Sequence, residues 1–584
     1  MRAAGPLGAG VAIAATLALA ACWGGDGGSS TTKRAVGLQG EPKRGGTMTV
    51  LSKDGPDSTD PGMTYDVNGV LIARATQRSL LSFKPNDATH PIPDLAARLP
   101  EISRDGRTMT VHLRRGVRFS PPVNREVTSA DVKYAVERGF FRSVANPYAG
   151  VYFAALVGAK PDAAPGTRIR GIETPDDRTL VFRLKNGTAR TMAGALVLPL
   201  AAPVPRTYAL RYDRKVQSTY GTHQVATGPY MVELDGQGRT KGYRPGKGAH
   251  LVRNPNWDAA TDFRPAYVDE VDIREGNDDA TVATRRIIGG RRLVSGDFNP
   301  PPAELKRALE QRRDQITLPL ANFVRYVTLN TKLAPFDDIN VRKAVVAAFD
   351  RDAMRLVRGG AVVASVATHF IPPGTPGYDE AGGARGAGYD FLAHPRGDPA
   401  LAARYLRMAG YRSGRYEGNE TILTVGVVGG NDQRAAEIAQ ATLERLGFKV
   451  KLRLVNLVSM FTTFCGTPRR QVHVCPNAGW CRDFADGQTM LDPTFNGDSI
   501  LGEGNSNFSL LDVPEINRAM AKARLIVDPD ERAKAWGAVD RMVAAQAAAV
   551  PLSWDRFPLV RSKDVVGVVA KHLARWDPTF TSLR

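Results

Sequence analysis

From Gly45 to Arg584, strand and helix signals alternate with no clear linker and no internal repeat. A repeat array would show self-similarity at a fixed period, and domains strung in series would be divided by exposed Pro-, Gly- or polar-rich stretches. The pattern therefore predicts interleaved units, with the chain crossing between them more than once. Gly45-Gly46-Thr47-Met48-Thr49-Val50-Leu51 alternates apolar and polar residues as a half-buried strand does. Asp105-Gly106-Arg107 followed by residues 108–113 reads as a turn and a strand. Thr128-Ser129-Ala130-Asp131 has the form of a capping box, with Asp in place of Glu, and opens a helix through Val132, Ala135 and Val136. Further strands are predicted over 179–184 and 228–233, and a helix near 341–350 after Asp337-Asp338. Residues 423–428 read as a strand that turns at Gly429-Gly430 into a helix with Ile438, Thr442 and Leu446 on one face. Residues 449–455 resume as a strand, which makes a parallel βαβ unit. The last long helix starts at Asp528-Pro529 and runs to about Ala547. Mixed signals of this kind predict an α/β or α+β body of three or so units at roughly 100–200 residues each.

The chain is basic, with 78 Lys and Arg against 59 Asp and Glu and a formal charge of +19. Binding to nucleic acid would need that charge in clusters or stripes. Instead, basic residues come in pairs such as Arg114-Arg115, Arg285-Arg286 and Arg291-Arg292, with acidic, polar or apolar residues between them. No zinc-finger spacing, RNA-binding aromatic signature or basic zipper occurs. A solvated basic surface is the better reading.

Residues 7–21 carry no charge and are dominated by Ala, Leu, Val and Ile, a length that suits a signal peptide rather than a spanning helix. The stretch ends in Leu19-Ala20-Ala21-Cys22, which resembles a bacterial lipoprotein box with Cys22 as the lipidated thiol. Residues 24–32 are Gly, Ser and Thr with one Asp, a flexible polar tether. The mature protein is thus expected on the extracellular face of the cell membrane, held by a lipid anchor.

That compartment is oxidising and governs how Cys465, Cys475 and Cys481 are read. With His473 nearby a metal site is conceivable, yet a structural zinc site needs four ligands and no paired C-x-x-C is present. A disulfide between Cys465 and Cys475 is favoured, since Gly466 and Pro468 let the loop turn back, and Cys481 is left as a free or buried thiol. No metal and no cofactor are expected. G-x-x-x-x-G-K-[ST], H-E-x-x-H and G-x-S-x-G are all missing, which removes the best signals for nucleotide hydrolysis, zincin chemistry and a hydrolase elbow. The turn at Gly426-Val427-Val428-Gly429-Gly430 has no Lys or Ser/Thr behind it and reads as a tight strand-to-helix turn.

Taken in order, many short segments resemble the extracellular solute-binding proteins, family 5, of ABC importers, which bind oligopeptides, dipeptides or nickel. They begin with Gly45-Gly46-Thr47-Met48-Thr49-Val50, Asp57-Ser58-Thr59-Asp60-Pro61 and Pro93-Asp94-Leu95-Ala96. Leu113-Arg114-Arg115-Gly116-Val117-Arg118-Phe119, Thr227-Gly228-Pro229-Tyr230, Leu329-Asn330-Thr331-Lys332 and Val341-Arg342-Lys343-Ala344 follow. Each is weak alone; their shared order over more than 500 residues carries the resemblance. It implies an α/β, two-lobed periplasmic-binding-protein-like fold of class II type, with an extra domain in the larger lobe. The implied division is a signal peptide at 1–21 and a tether at 22–44. Domain I takes 45–75, 200–315 and 546–584, domain II takes 76–199, and domain III takes 316–545.

The implied function is capture of a peptide in the interlobe cleft and delivery to ABC permease subunits, by a monomer without catalysis. In the peptide-binding branch an Asp a few residues after a Gly-Trp pair anchors the ligand's α-ammonium. Gly479-Trp480-Cys481-Arg482-Asp483 puts Asp483 in that place. Asp483 could instead pair with Arg482 or cap a turn, and Trp480 could line the cleft or sit in the core. A secreted peptidase using the same cleft, or a binder of a sugar or metal chelate, remains the alternative reading. The absence of His at the anchor lowers nickel.

Overall fold

A computed structural model describes residues 42–571, 573 and 575–584. Among the described residues three larger sheets organise the chain, each with its own core. The first has the strand order Leu293–Ser295, Thr47–Leu51, Glu270–Arg274, Gly248–Arg253, Tyr230–Val232. Thr47–Leu51 runs parallel to both neighbours, although these lie more than 200 residues further on. Its alternation is the physical reason it sits there: Met48 and Val50 are fully buried, beside Val271, Val294, Val565 and Trp576. The chain's beginning, middle and end thus share one core, and the Ser582 hydroxyl donates to the Lys43 carbonyl at 2.8 Å.

The second sheet is antiparallel, in the order Glu101–Ile102, Thr108–His112, Thr179–Arg183, Ile172–Asp176. The helix Ser129–Gly139 packs beside it. At its start the Asp131 carboxylate accepts from the Thr128 N–H at 2.9 Å, the reciprocal half of a capping box, and from both Nη groups of Arg125. This core extends past residue 199, where domain II was expected to end, because Val204, Ala209, Tyr220 and Val225 are buried within it.

The third sheet has the order Ala364–Val366, Ala549–Arg556, Leu320–Leu329, Val474–Cys481, Thr421–Val427, Lys449–Val455. Its last two strands are parallel and joined by the helix Gly430–Arg445, the predicted βαβ unit. The buried face of that helix is Ala435, Ala436, Ala439, Thr442 and Leu443; Ile438 lies at its margin. The strand Ala549–Arg556 belongs to this sheet, so the boundary expected at 545/546 moves. The chain returns to the first core only at Leu559, after pairing Leu559–Val560 with Ile316–Thr317. Two short antiparallel strands therefore carry both crossings between the lobes, and the fold is a two-lobed α/β structure.

Candidate functional site

Where the crossings meet the rest of the molecule, a cavity of about 680 Å³ opens between the lobes. Tyr65, Val67, residues 86–90 and Tyr148 line one side, residues 317–323, Gly374 and 481–483 the other, and Phe557 and Arg575 also border it. A second cavity of about 760 Å³ shares Thr89, His90 and Gly374 with it. The partition between them is a bridge of hydrogen bonds across the lobes. Thr89 Oγ1 donates to the Gly374 carbonyl at 2.7 Å, and Arg482 Nη2 donates to the Ala88 carbonyl.

Asp483 is buried, with only 7% of its surface exposed, and lies on the wall of the first cavity. The Tyr152 hydroxyl, from the other lobe, donates to Asp483 Oδ2. Tyr152 stacks near Tyr148, and Tyr148 near Tyr65, with ring centroids 6.5 and 5.6 Å apart. Burial pushes the Asp483 carboxyl up to about 7, and the Tyr152 hydrogen bond pulls the other way. Burial first, and then the Asp483 charge, push the Tyr65 and Tyr148 hydroxyls up as well. The Cys481 thiol rises to about 12 for the same two reasons. Each shift has the same meaning: this pocket disfavours negative charge, and a carboxylate here is costly until a cation meets it.

Arg482, the alternative partner of Asp483, is fully buried and directs Nη1 to the Gly374 carbonyl at 2.5 Å and to Thr375 Oγ1 at 2.9 Å. Trp480 is not brought to either cavity. Its Nε1 donates to the Thr489 carbonyl at 2.7 Å and its ring packs against the third core, so its expected lining role gives way to a core role. The reason is strand alternation: Cys481, at the strand's end, shares the cavity side with its partner Phe323, and Trp480, paired with the buried Val324, faces away. Cys465 and Cys475 form a disulfide with Cα atoms 6.4 Å apart, and Cys481 is the free thiol. Cys22 lies outside the described residues.

Tyr65, Tyr152 and Arg575 were missed by the sequence reading; nothing local marks them, because Tyr65 and Arg575 reach the cavity, and Tyr152 reaches Asp483, from segments distant in the chain. Among the described residues no group of three or more His, Cys, Asp or Glu side chains could hold a metal ion, and no helix is long and apolar enough to cross a membrane.

Comparisons with known proteins agree with this geometry. The chain is 25% identical to the Heme-binding protein A of Haemophilus influenzae over 92% of each protein. It is 25% identical to the Dipeptide-binding protein of Escherichia coli K12, covering 91% of this chain and 93% of that one. Among solved structures, the Clavulanic acid biosynthesis oligopeptide binding protein 2 superposes with a TM-score of 0.79 at 29% identity, over 93% of this chain and 96% of the other. A periplasmic binding protein of Helicobacter pylori solved with the peptide STSA has the same fold at TM-score 0.71 and 21% identity, covering 93% and 98%. The model of the bacterial extracellular solute-binding proteins, family 5 Middle, matches residues 90–501, and the chain belongs to that family.

Proposed function

We propose that this protein is the lipid-anchored, extracellular binding component of an ABC importer, which captures peptides between its lobes and delivers them to a membrane permease. It works as a monomer and performs no catalysis. The observation that carries the peptide reading is Asp483, a buried carboxylate facing an interlobe cavity and held by a tyrosine of the opposite lobe. A peptide's α-ammonium is the group that would offset the cost of ionising it, and closure would remove both charges from water together. Relatives named for dipeptides and oligopeptides support this choice of ligand; one named for heme shows that family membership alone does not make it. The three cores support a division into three domains, with domain I visited three times and the last crossing near residues 557–559.

Calorimetry with tri-alanine and its N-acetylated form tests the anchor. Asp483→Asn should weaken free-amine binding by about ten- to a hundredfold, the worth of a hydrogen bond between charged groups, and barely change binding of the acetylated peptide. Equal loss for both rejects the assignment. Peptide hydrolysis by the purified protein that vanished in Asp483→Asn would replace binding with the peptidase reading. For the anchor to the membrane, Cys22→Ala should release the protein into the medium, and persistence on membranes would contradict lipidation.

A further inference from the structure

The basic pairs spread along the sequence meet at one place outside the cleft. Residues 280–315 hold eight Lys and Arg against four Asp and Glu, a denser excess than the chain's overall +19. The helices Ala280–Gly289 and Pro302–Gln311 share a small core through Ile287, Leu305, Ala308 and Val560. Between them and the C-terminal segment opens a cavity of about 840 Å³, which shares no lining residue with the interlobe cavity. Arg285, Arg291, Arg307, Arg312, Lys563 and Arg584 line it, all of them exposed. Against them stand Glu304, Asp314, Asp564 and the terminal carboxylate of Arg584. Glu304 is engaged by Arg285, whose Nε and Nη2 donate to Oε1 at 2.9 and 2.5 Å. Asp564 accepts the Arg292 N–H at 2.9 Å and lies 3.5 Å from Arg291 Nε. Arg307, Arg312 and Lys563 form no ion pair among the described residues, and Arg312 Nη1 donates to the neighbouring Gln311 carbonyl at 3.0 Å. Two helix C-termini add about half a negative charge each, but the exposed Arg286, Arg292, Lys306 and Arg313 of the same segment outweigh them and Glu310.

The cavity also lies beside the start of the described chain. The Ser582 hydroxyl donates to the Lys43 carbonyl, and the Arg584 N–H to the Asp564 carbonyl, each at 2.8 Å. Gly46 is packed so closely that a Cβ there would stand 3.0 Å from Leu583 Cδ1 and 3.9 Å from Arg292 Nη1. The roughly twenty residues from Cys22 to residue 42 span at most about 70 Å. With Cys22 in a membrane, this cationic end is therefore kept within reach of the bilayer surface.

We propose that this cavity and its arginines bind the phosphates of anionic lipid headgroups, so that the first domain rests on the membrane surface while the interlobe cleft stays free for peptide. The proposal rests on the lipid-anchored reading for its location and acts through charge alone. Guanidinium groups meet phosphate in two-point contacts, and cations near an anionic surface act together because that surface presents many phosphates at once. A site for a single captured ion would call for donors converging in the interior, whereas all six cations here stand on exposed side chains.

The test sediments purified Cys22→Ala protein with vesicles of phosphatidylglycerol and phosphatidylcholine in equal parts, and with phosphatidylcholine alone. Binding is expected to the anionic vesicles at about 0.05 M salt, not to the neutral ones, and should vanish at about 0.5 M salt. Each cation removed should weaken it about fivefold, so Arg307→Gln, Arg312→Gln and Lys563→Gln together should cost about a hundredfold. The same three charges removed as Lys449→Gln, Lys451→Gln and Arg453→Gln, exposed on the edge strand of the third sheet, should cost less than about threefold. Equal losses in the two triple variants, or equal binding to neutral vesicles, overturn the proposal. So does displacement by millimolar inorganic phosphate at constant ionic strength, which would assign the cavity to a soluble anion. Should the first triple variant fail to fold, Arg307→Gln and Lys563→Gln singly carry the test at about fivefold each, and no loss in either overturns it. Lipidation fails separately: Cys22→Ala protein left on cells after a wash at about 0.5 M salt contradicts the lipid anchor and leaves the vesicle result standing.

Discussion

Peptide affinity should depend on pH in a way set by Asp483. Burial opposes ionisation of its carboxyl and pushes it up from 3.8 to about 7. Raising the pKa of an acid by that much corresponds to about 4 kcal/mol against the carboxylate. The protonated form is favoured below pH 7, and the burden of the ionised, buried carboxylate is fully present only above it. A ligand ammonium reverses the preference, so the complex needs the carboxylate and its pKa must fall on binding. Affinity for a free-amine peptide should therefore drop as pH falls through 7, approaching tenfold per unit, or about a hundredfold weaker at pH 5 than on the plateau. On the alkaline side it should decline once the α-amine, with its ordinary pKa of about 7.7–8.0, loses its proton.

The maximum thus lies between about 7 and 8. Calorimetry of tri-alanine binding from pH 5 to 9, in two buffers of different ionisation enthalpy, measures both the affinity and the protons exchanged. Near one proton should be released per peptide at pH 6. In Asp483→Asn the acidic limb should disappear while the alkaline limb remains. An affinity flat from pH 5 to 7.5, or an acidic limb that survives in Asp483→Asn, would refute the reasoning.

Three other perturbations probe the scaffold. Thiol titration of the non-reduced, unfolded mature protein should find one reactive group, Cys481; replacing Cys465 and Cys475 together with Ser should destabilise by roughly 2–3 kcal/mol for so short a loop, and three reactive thiols would disprove the bridge. Arg138 is fully buried and bonds Asp60 and Asp213 at 2.7 Å, tying the loop after the first strand to the second core. Arg138→Met should cost about 3–5 kcal/mol by leaving two carboxylates unpaired, measured by denaturant unfolding, and a loss below 1 kcal/mol would contradict that role. Phe484, next to Asp483, inserts from the third sheet's lobe into the second core, its ring 4.9 Å from Tyr152. Because this contact joins the two lobes, Phe484→Ala should shift solution scattering toward a more open shape and weaken peptide binding with little change in melting temperature; an unchanged scattering profile would exclude such a latch.

What the sequence made legible was mostly local. Alternation located Thr47–Leu51 and helical spacing located the βαβ unit, because each element's own pattern decides which face it buries. The Cys465–Cys475 pair spans only ten residues, and Asp483 was singled out by a family resemblance carried by Gly479 and Trp480. Trp480 itself lies away from the cavity, as strand alternation with its neighbour Cys481 would have placed it. The crossings near 317–320 and 556–559, the Tyr152–Asp483 bond and the packing of Arg575 against Phe298 depend on contacts across hundreds of residues. No local pattern encodes them. The boundaries near 200 and 546 slipped for the same reason, since the chain changes partners there without changing composition.

The central claim is that the cleft holds a peptide by its charged amine. Native mass spectrometry of protein purified gently from membranes reads the occupant directly. The expected spectrum contains bound masses that fragment into amino-acid series with free N-termini, and these masses should be depleted in Asp483→Asn. Occupants of non-peptide mass, or N-terminally blocked peptides retained equally by both proteins, would contradict it.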